Sequence, residues 1–131
     1  MPEVLDLAFG RITVFEAPSQ IKKAVEMQKK EERAAVYVVQ DTAYLVVTMG
    51  KKTTGGYGVS VTGIDRDNMR DGGPGIDVRV RYQSPKPGQV VSQVITYPYA
   101  IVKTDLGDIS EDTAFRFFVD DMVKTVYPIE L

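Results

Sequence analysis

The hydrophobic pattern changes period several times along the chain, and each change marks an element. Leu5, Leu7 and Phe9 alternate with Asp6, Ala8 and Gly10, and Ile12 and Val14 alternate with Thr13 and Phe15. Both read as short strand-like pieces punctuated by Gly10. After Pro18-Ser19 the rhythm becomes helical. Ile21, Ala24, Val25 and Gln28 recur at three- and four-residue steps among lysines and glutamates, which predicts an amphipathic helix over about 19–32. Ser19 suits its start. From Ala35 the period drops to two: AVYVVQ, Asp41-Thr42, then AYLVVTM read as a hairpin rich in β-branched and aromatic residues. Tyr57, Val59 and Val61 alternate with Gly58, Ser60 and Thr62. Beyond the polar loop DRDNMRDGGPG, Ile76, Val78, Val80 and Tyr82 alternate with Asp77, Arg79 and Arg81. That second pattern writes a polar face into the strand. SPKPG breaks the chain, and QVVSQVITYPYAIVKT resumes a strand pattern. Pro98 should mark an edge, bend or bulge there, because proline cannot donate to a ladder.

The last stretch has two readings. Phe115, Phe118, Val119, Met122, Val123 and Val126 lie at helical spacing after Ser110-Glu-Asp-Thr, predicting a helix over about 110–126 that ends at Pro128. Its β-branched and aromatic content also permits strand pairing. The expectation is an α+β domain: an antiparallel β-sheet of about five to seven strands with one or two packed α-helices. The length of 131 residues fits a single domain, 1–131.

Composition narrows the chemistry. The chain has no Cys and no His. That removes disulfides, thiol nucleophiles, cysteine-ligated metal sites and the usual general base near neutral pH. The formal net charge is −2, with both signs mixed along the chain. No clustered Lys/Arg footprint for nucleic acid is present. No apolar run approaches the roughly 18 residues of a membrane span.

GKKTTGGY at 50–57 contains the ingredients of a phosphate cradle, but the register fails. Leu45 stands where a P-loop needs its first glycine, Lys52 where it needs a hydroxyl, and a β-alternation follows instead of a helix. A simpler reading is a turn in which Gly55 and Gly56 supply positive φ or close approach and Thr53 and Thr54 bond the loop backbone. Carboxylates are available for an enzyme, at Asp65, Asp67 and Asp71 or at Glu111, Asp112, Asp120 and Asp121. None has apolar neighbours that plainly raise a pKa. Asp65-x-Asp67-Asn68 falls short of a calcium loop, with Met69 at the third ligand position. No cofactor, catalytic residue or metal ligand is therefore expected.

The segment TAYLVVTMGKKTTGGYGVSVTGI, with SPKPGQVVSQVITYPYAIVKT after it, resembles the PrcB C-terminal-type domain. Thr54, Gly55, Gly56, Tyr57, Pro85, Pro87, Gly88, Gln93, Tyr97, Pro98 and Tyr99 carry the likeness. It covers about 35–104 as a core, leaving 1–34 before it and a C-terminal extension at 105–131. The resemblance implies a bacterial, non-catalytic accessory domain that binds or stabilises a protease or another cell-envelope protein. It implies the envelope or the extracellular space where an export signal has been removed, and the cytoplasm where Met1 is the natural start. On that reading Thr53, Thr54, Gly55, Gly56, Tyr57, Tyr97, Pro98 and Tyr99 form the partner-binding surface. The tyrosines would offer aromatic area at low side-chain entropy. The same tyrosines also suit half-buried packing in a sheet. Two alternatives stand beside this one. The apolar face of 110–126 suits self-association as a homodimer. Thr53-Thr54-Gly55 with Tyr57 also resembles, more distantly, the turn of chagasin-like protease inhibitors, though no arginine-proline-aromatic motif follows.

Overall fold

The structure is a computed structural model that describes residues 4–6, 9–67, 75–104, 109–120 and 122–131. Within them lie one α-helix, α1 (Ser19–Gln28), and ten strands: β1 (Val4–Asp6), β2 (Gly10–Ile12), β3 (Glu32–Val39), β4 (Thr42–Met49), β5 (Gly58–Asp67), β6 (Gly75–Gln83), β7 (Tyr99–Thr104), β8 (Phe115–Val119), β9 (Met122–Val126) and β10 (Ile129–Glu130). The domain is α+β, but the strands form two sheets where the sequence suggested one. The first runs β1-β5-β6-β8-β9 and the second β10-β3-β4-β7-β2. Most neighbours are antiparallel; β6–β8 and β10–β3 are parallel.

The β3–β4 hairpin turns on Gln40 and Asp41, at φ +49° and +67°, one residue earlier than the pattern indicated. Two successive positive φ values match the twist of the flanking strands, the reason such turns dominate tight hairpins. The two strands read as near-continuous apolar runs because their sheet is covered on both faces. Ala34, Val36, Leu45, Val47 and Val102 face the first sheet, where Val59, Ile64, Ile76, Val78, Phe115 and Phe117 meet them in the main core. Ala35, Tyr37, Tyr44, Val46 and Ile101 face the other way, onto Ile21 and Val25 of α1. The order is thus sheet, sheet, helix.

Helix α1 stops at Gln28, short of the expected residue 32, because β3 already begins at Glu32. Gln28 is buried and ties the helix end to the sheet. Its Nε2 donates to Val46 O at 3.1 Å and Arg33 O at 3.2 Å, and Tyr37 Oη donates to its Oε1 at 2.9 Å.

The expected helix over 110–126 is instead the β8–β9 hairpin. The helical spacing was fortuitous. Phe115 and Phe117 both point into the core at a period of two, Arg116 points out, and Asp120 at φ +53° starts the reversal. Because Phe115 and Phe117 are fully buried and β8 pairs with β6, β8 is part of the shared core. The strand expected over 89–98 does not form either. This run is irregular up to Tyr99, and Val90, Val94 and Ile95 are exposed, so it has no sheet face to bury. A bulge between Val61 and Gly63 of β5 resets the alternation. Ser60, Gly63 and Asp65 thereby share the outer face while Val59, Val61 and Ile64 point inward.

Candidate functional site

The glycine loop and the proline-tyrosine bend meet in space. Lys52 and Thr96 exchange backbone hydrogen bonds, each at 2.9 Å, and Gly55 N donates to Ser92 O at 2.9 Å. The Thr96 hydroxyl donates to Thr54 O at 2.8 Å, and the Thr54 hydroxyl to Gly55 O at 3.0 Å. Gly56 sits at φ +94°, and a Cβ there would lie 2.8 Å from both Pro85 Cγ and Val91 Cγ1. Only glycine combines that backbone with so close an approach. Thr54, Gly55 and Gly56 therefore shape the corner, and Thr53 is exposed on it.

The corner opens onto a groove of about 600 Å³ lined by Tyr57, Tyr97, Pro98 and Tyr99, together with Arg11, Thr13, Ser60, Arg81 and Gln83 among others. Of the eight residues singled out in the sequence, these four line the groove and Thr53–Gly56 buttress it. Lys52 Nζ lies 5.1 Å from the centre of the Tyr57 ring, and Lys29 Nζ lies 5.1 Å from that of Tyr97. Such cation–π contacts hold the rings in place while leaving them accessible. Tyr57 also packs against the main core and Tyr99 against the helix-side core, so the packing reading holds alongside exposure to the groove.

The groove runs along two sheet edges. β2 is an end strand of its sheet and pairs with β7 alone. β5 pairs with β6 along its whole length, but β1 covers it only at Asp65–Asp67. Among the described residues, Gly58–Ile64 has no strand on that side. At the rim, Glu16 Oε1 accepts a 2.9 Å hydrogen bond from Thr13 N. This bond, with the Thr13 hydroxyl, holds the exposed Glu16 carboxyl below its ordinary pKa.

Sequence reasoning missed Arg11 and the role of Arg81. The outward alternation of Arg79 and Arg81 was legible, but nothing local distinguished them. On the outer face of the first sheet Arg79 bonds Asp65, and Arg116 Nη1 reaches Asp77 Oδ1 at 3.3 Å. Arg81 lies on the same face and has no carboxylate partner among the described residues. Arg11 Nη2 reaches the Tyr99 carbonyl at 3.4 Å. The candidate carboxylates do not assemble in the groove. Asp65 belongs to the Arg79 pair; Asp112, Glu111 and Asp120 are exposed elsewhere; Asp71, Asp121 and the Asp67 side chain lie outside the described residues, as do Asn68 and Met69. No group of acids that would hold a metal occurs among the described residues.

Fold and groove together define a two-sheet α+β domain with a groove cornered by glycine, threonine and tyrosine. The family model described as PrcB C-terminal matches residues 43–105, from the start of β4 past the end of β7, and so shows the resemblance read in the sequence. Tyr57, Ser60, Arg81, Gln83 and Thr96–Tyr99 lie inside that match, and Arg11–Thr13 outside it. No curated protein and no solved structure gives a significant match. Among the described residues no helix is long and apolar enough to cross a membrane.

Proposed function

We propose that the chain is a non-catalytic protein-binding module that engages its partner through this groove. The observation carrying the reading is the groove itself: three tyrosines and two arginines around open backbone edges. Tyrosine and arginine are the residue types that contribute most at protein interfaces. A chain without His or Cys lacks the usual nucleophile–base pairs. The accessory role implied by the PrcB resemblance, with a protease or another envelope protein as partner, agrees with this chemistry. The test is capture from native extract by the immobilised domain, compared with Tyr57→Ala and Tyr97→Ala variants whose fold is checked by circular dichroism. Specific retention of a protein by the folded wild type and its loss in the folded variants supports the reading. Equal capture by all three sinks it, as does turnover in a substrate panel.

Self-association is the second reading, favoured by the exposed Met122, Val123, Tyr127, Ile129 and Leu131 along β9 and β10. Light scattering decides it: a dimer mass lowered to monomer by Val123→Glu supports it, and a monomer mass for the wild type removes it.

A further inference from the structure

Among the described residues no strand covers Gly58–Ile64 of β5 on one side, and this length and the two arginines beside it bear on what kind of segment fits. Building on the protein-binding reading, we infer that the groove takes an extended, acidic segment of a partner protein, added as a strand to β5 over Gly58–Ile64 in line with β1.

The backbone comes first. In an antiparallel ladder alternate residues direct N–H and C=O to each side. Along Gly58–Ile64 one side is taken by β6, and no strand among the described residues lies on the other. The same side of β5 already takes a strand farther along, where β1 pairs at Asp65–Asp67. The open length spans about 20 Å, room for roughly six residues. Such an edge is a template for strand addition, in which main-chain bonds supply affinity and alternating side chains supply specificity.

The charge follows from how this sheet already pairs arginines. Arg79 lies over Gly63, where a Cβ would come within 2.1 Å of its guanidinium, and reaches Asp65. Arg116 lies over Gly75 in the same way and reaches Asp77. Each arginine crosses a position with no side chain to meet a carboxylate on the outer face. Arg81 is directly paired across the ladder with Ser60, the smallest side chain after glycine on that face of β5. Beyond Ser60 there is no further strand among the described residues, and none of their carboxylates pairs with Arg81. A docked strand would place its outward side chain there. Arg11, on β2, approaches the groove from the other sheet. No Asp or Glu is among the described residues that line it, and the nearby carboxylate of Glu16 is engaged by Thr13. An acidic side chain beside Arg81 would complete the pattern set by Asp65 and Asp77. The tyrosines would pack against apolar residues of the other parity.

The test is fluorescence polarisation with labelled peptides of about ten residues. One alternates Glu with Val and Thr, a twin carries Gln for Glu, and two further twins are N-methylated at alternate amides, one in each register. The acidic peptide should bind, and the Gln twin about tenfold more weakly or worse. One of the two methylated twins should lose binding, because it blocks the edge facing β5. Arg81→Gln should weaken the acidic peptide by a similar factor, and Arg81→Glu should reverse the preference toward a Lys-bearing twin. Groove-dependent binding of the Gln twin at equal strength overturns the acidic inference, and equal binding of both methylated twins overturns strand addition. No binding of any peptide overturns both. In each case the protein-binding reading stands if the Tyr97-dependent capture above is intact, and falls if that capture is lost.

Discussion

The two sheets bury themselves by different means. The β10-β3-β4-β7-β2 sheet has apolar neighbours on both sides, the other sheet on one and α1 on the other. Its central strands bury few polar side chains, Thr48 and Thr104 among them, and Gln28 from the helix is bonded into them. The β1-β5-β6-β8-β9 sheet is apolar on its inner face only. Its outer face is a ladder of aspartates and arginines, two of which lie in glycine notches. The contrast teaches that the β10-β3-β4-β7-β2 sheet is fixed by shape and the β1-β5-β6-β8-β9 sheet partly by pairing. The groove opens where that pairing runs out, at Arg81.

The largest test of this contrast is in the shared core. Phe117 is fully buried between the sheets, so Phe117→Ala should cost about 3–5 kcal/mol in chemical denaturation. A cost under about 1 kcal/mol would show that β8 is an appendage after all. Next is the helix-side tie. Gln28→Ala strands the Tyr37 hydroxyl and removes the donor to Val46 O, and should cost about 1–3 kcal/mol. The urea midpoint reads it, with Tyr37→Phe in the same background recovering part of the loss.

A smaller pair of substitutions sharpens the outer face. Gly75→Ala pushes against the guanidinium of the buried Arg116 and should destabilise by about 1–3 kcal/mol. Gly63→Ala pushes against the far end of Arg79, which is half exposed and can shift without leaving Asp65, so its cost should be less than about 1 kcal/mol. Equal costs would mean that burial of the arginine does not matter. The smallest effect is in pH. Burial raises the pKa of Tyr82, helped by its hydrogen bond to Glu32 and by the charges of Glu32 and Asp120. A raised tyrosine pKa contributes stability that is fully present below the unfolded value of about 10 and lost as pH rises toward the folded one. The urea midpoint should therefore fall above about pH 10, and less so in Tyr82→Phe.

Much of the architecture was legible in the residues. The period of two gave the β3–β4 hairpin and the polar face of β6, and the period near 3.6 gave α1. The Thr54-Gly55-Gly56-Tyr57 corner was legible as a turn, since no other residue tolerates what Gly56 must adopt. The C-terminal hairpin was not. Phe115, Phe118, Met122 and Val126 satisfy a helix as well as Phe115, Phe117 and Val119 satisfy a strand, and only β6, waiting with an unpaired edge, chose between them. The groove was half legible: the tyrosines stood out, the arginines did not.

What the sequence determined alone is local. It set periodicity, the turns that glycine and positive φ require, and the absence of cysteine and histidine chemistry. The tertiary structure decided what depends on partners distant in the chain: that the strands divide into two sheets, that Gln28 is core, and that Arg79 and Arg116 meet aspartates while Arg81, among the described residues, does not. Backbone preferences are properties of a few adjacent residues, whereas burial and charge pairing are properties of whatever the fold brings within reach.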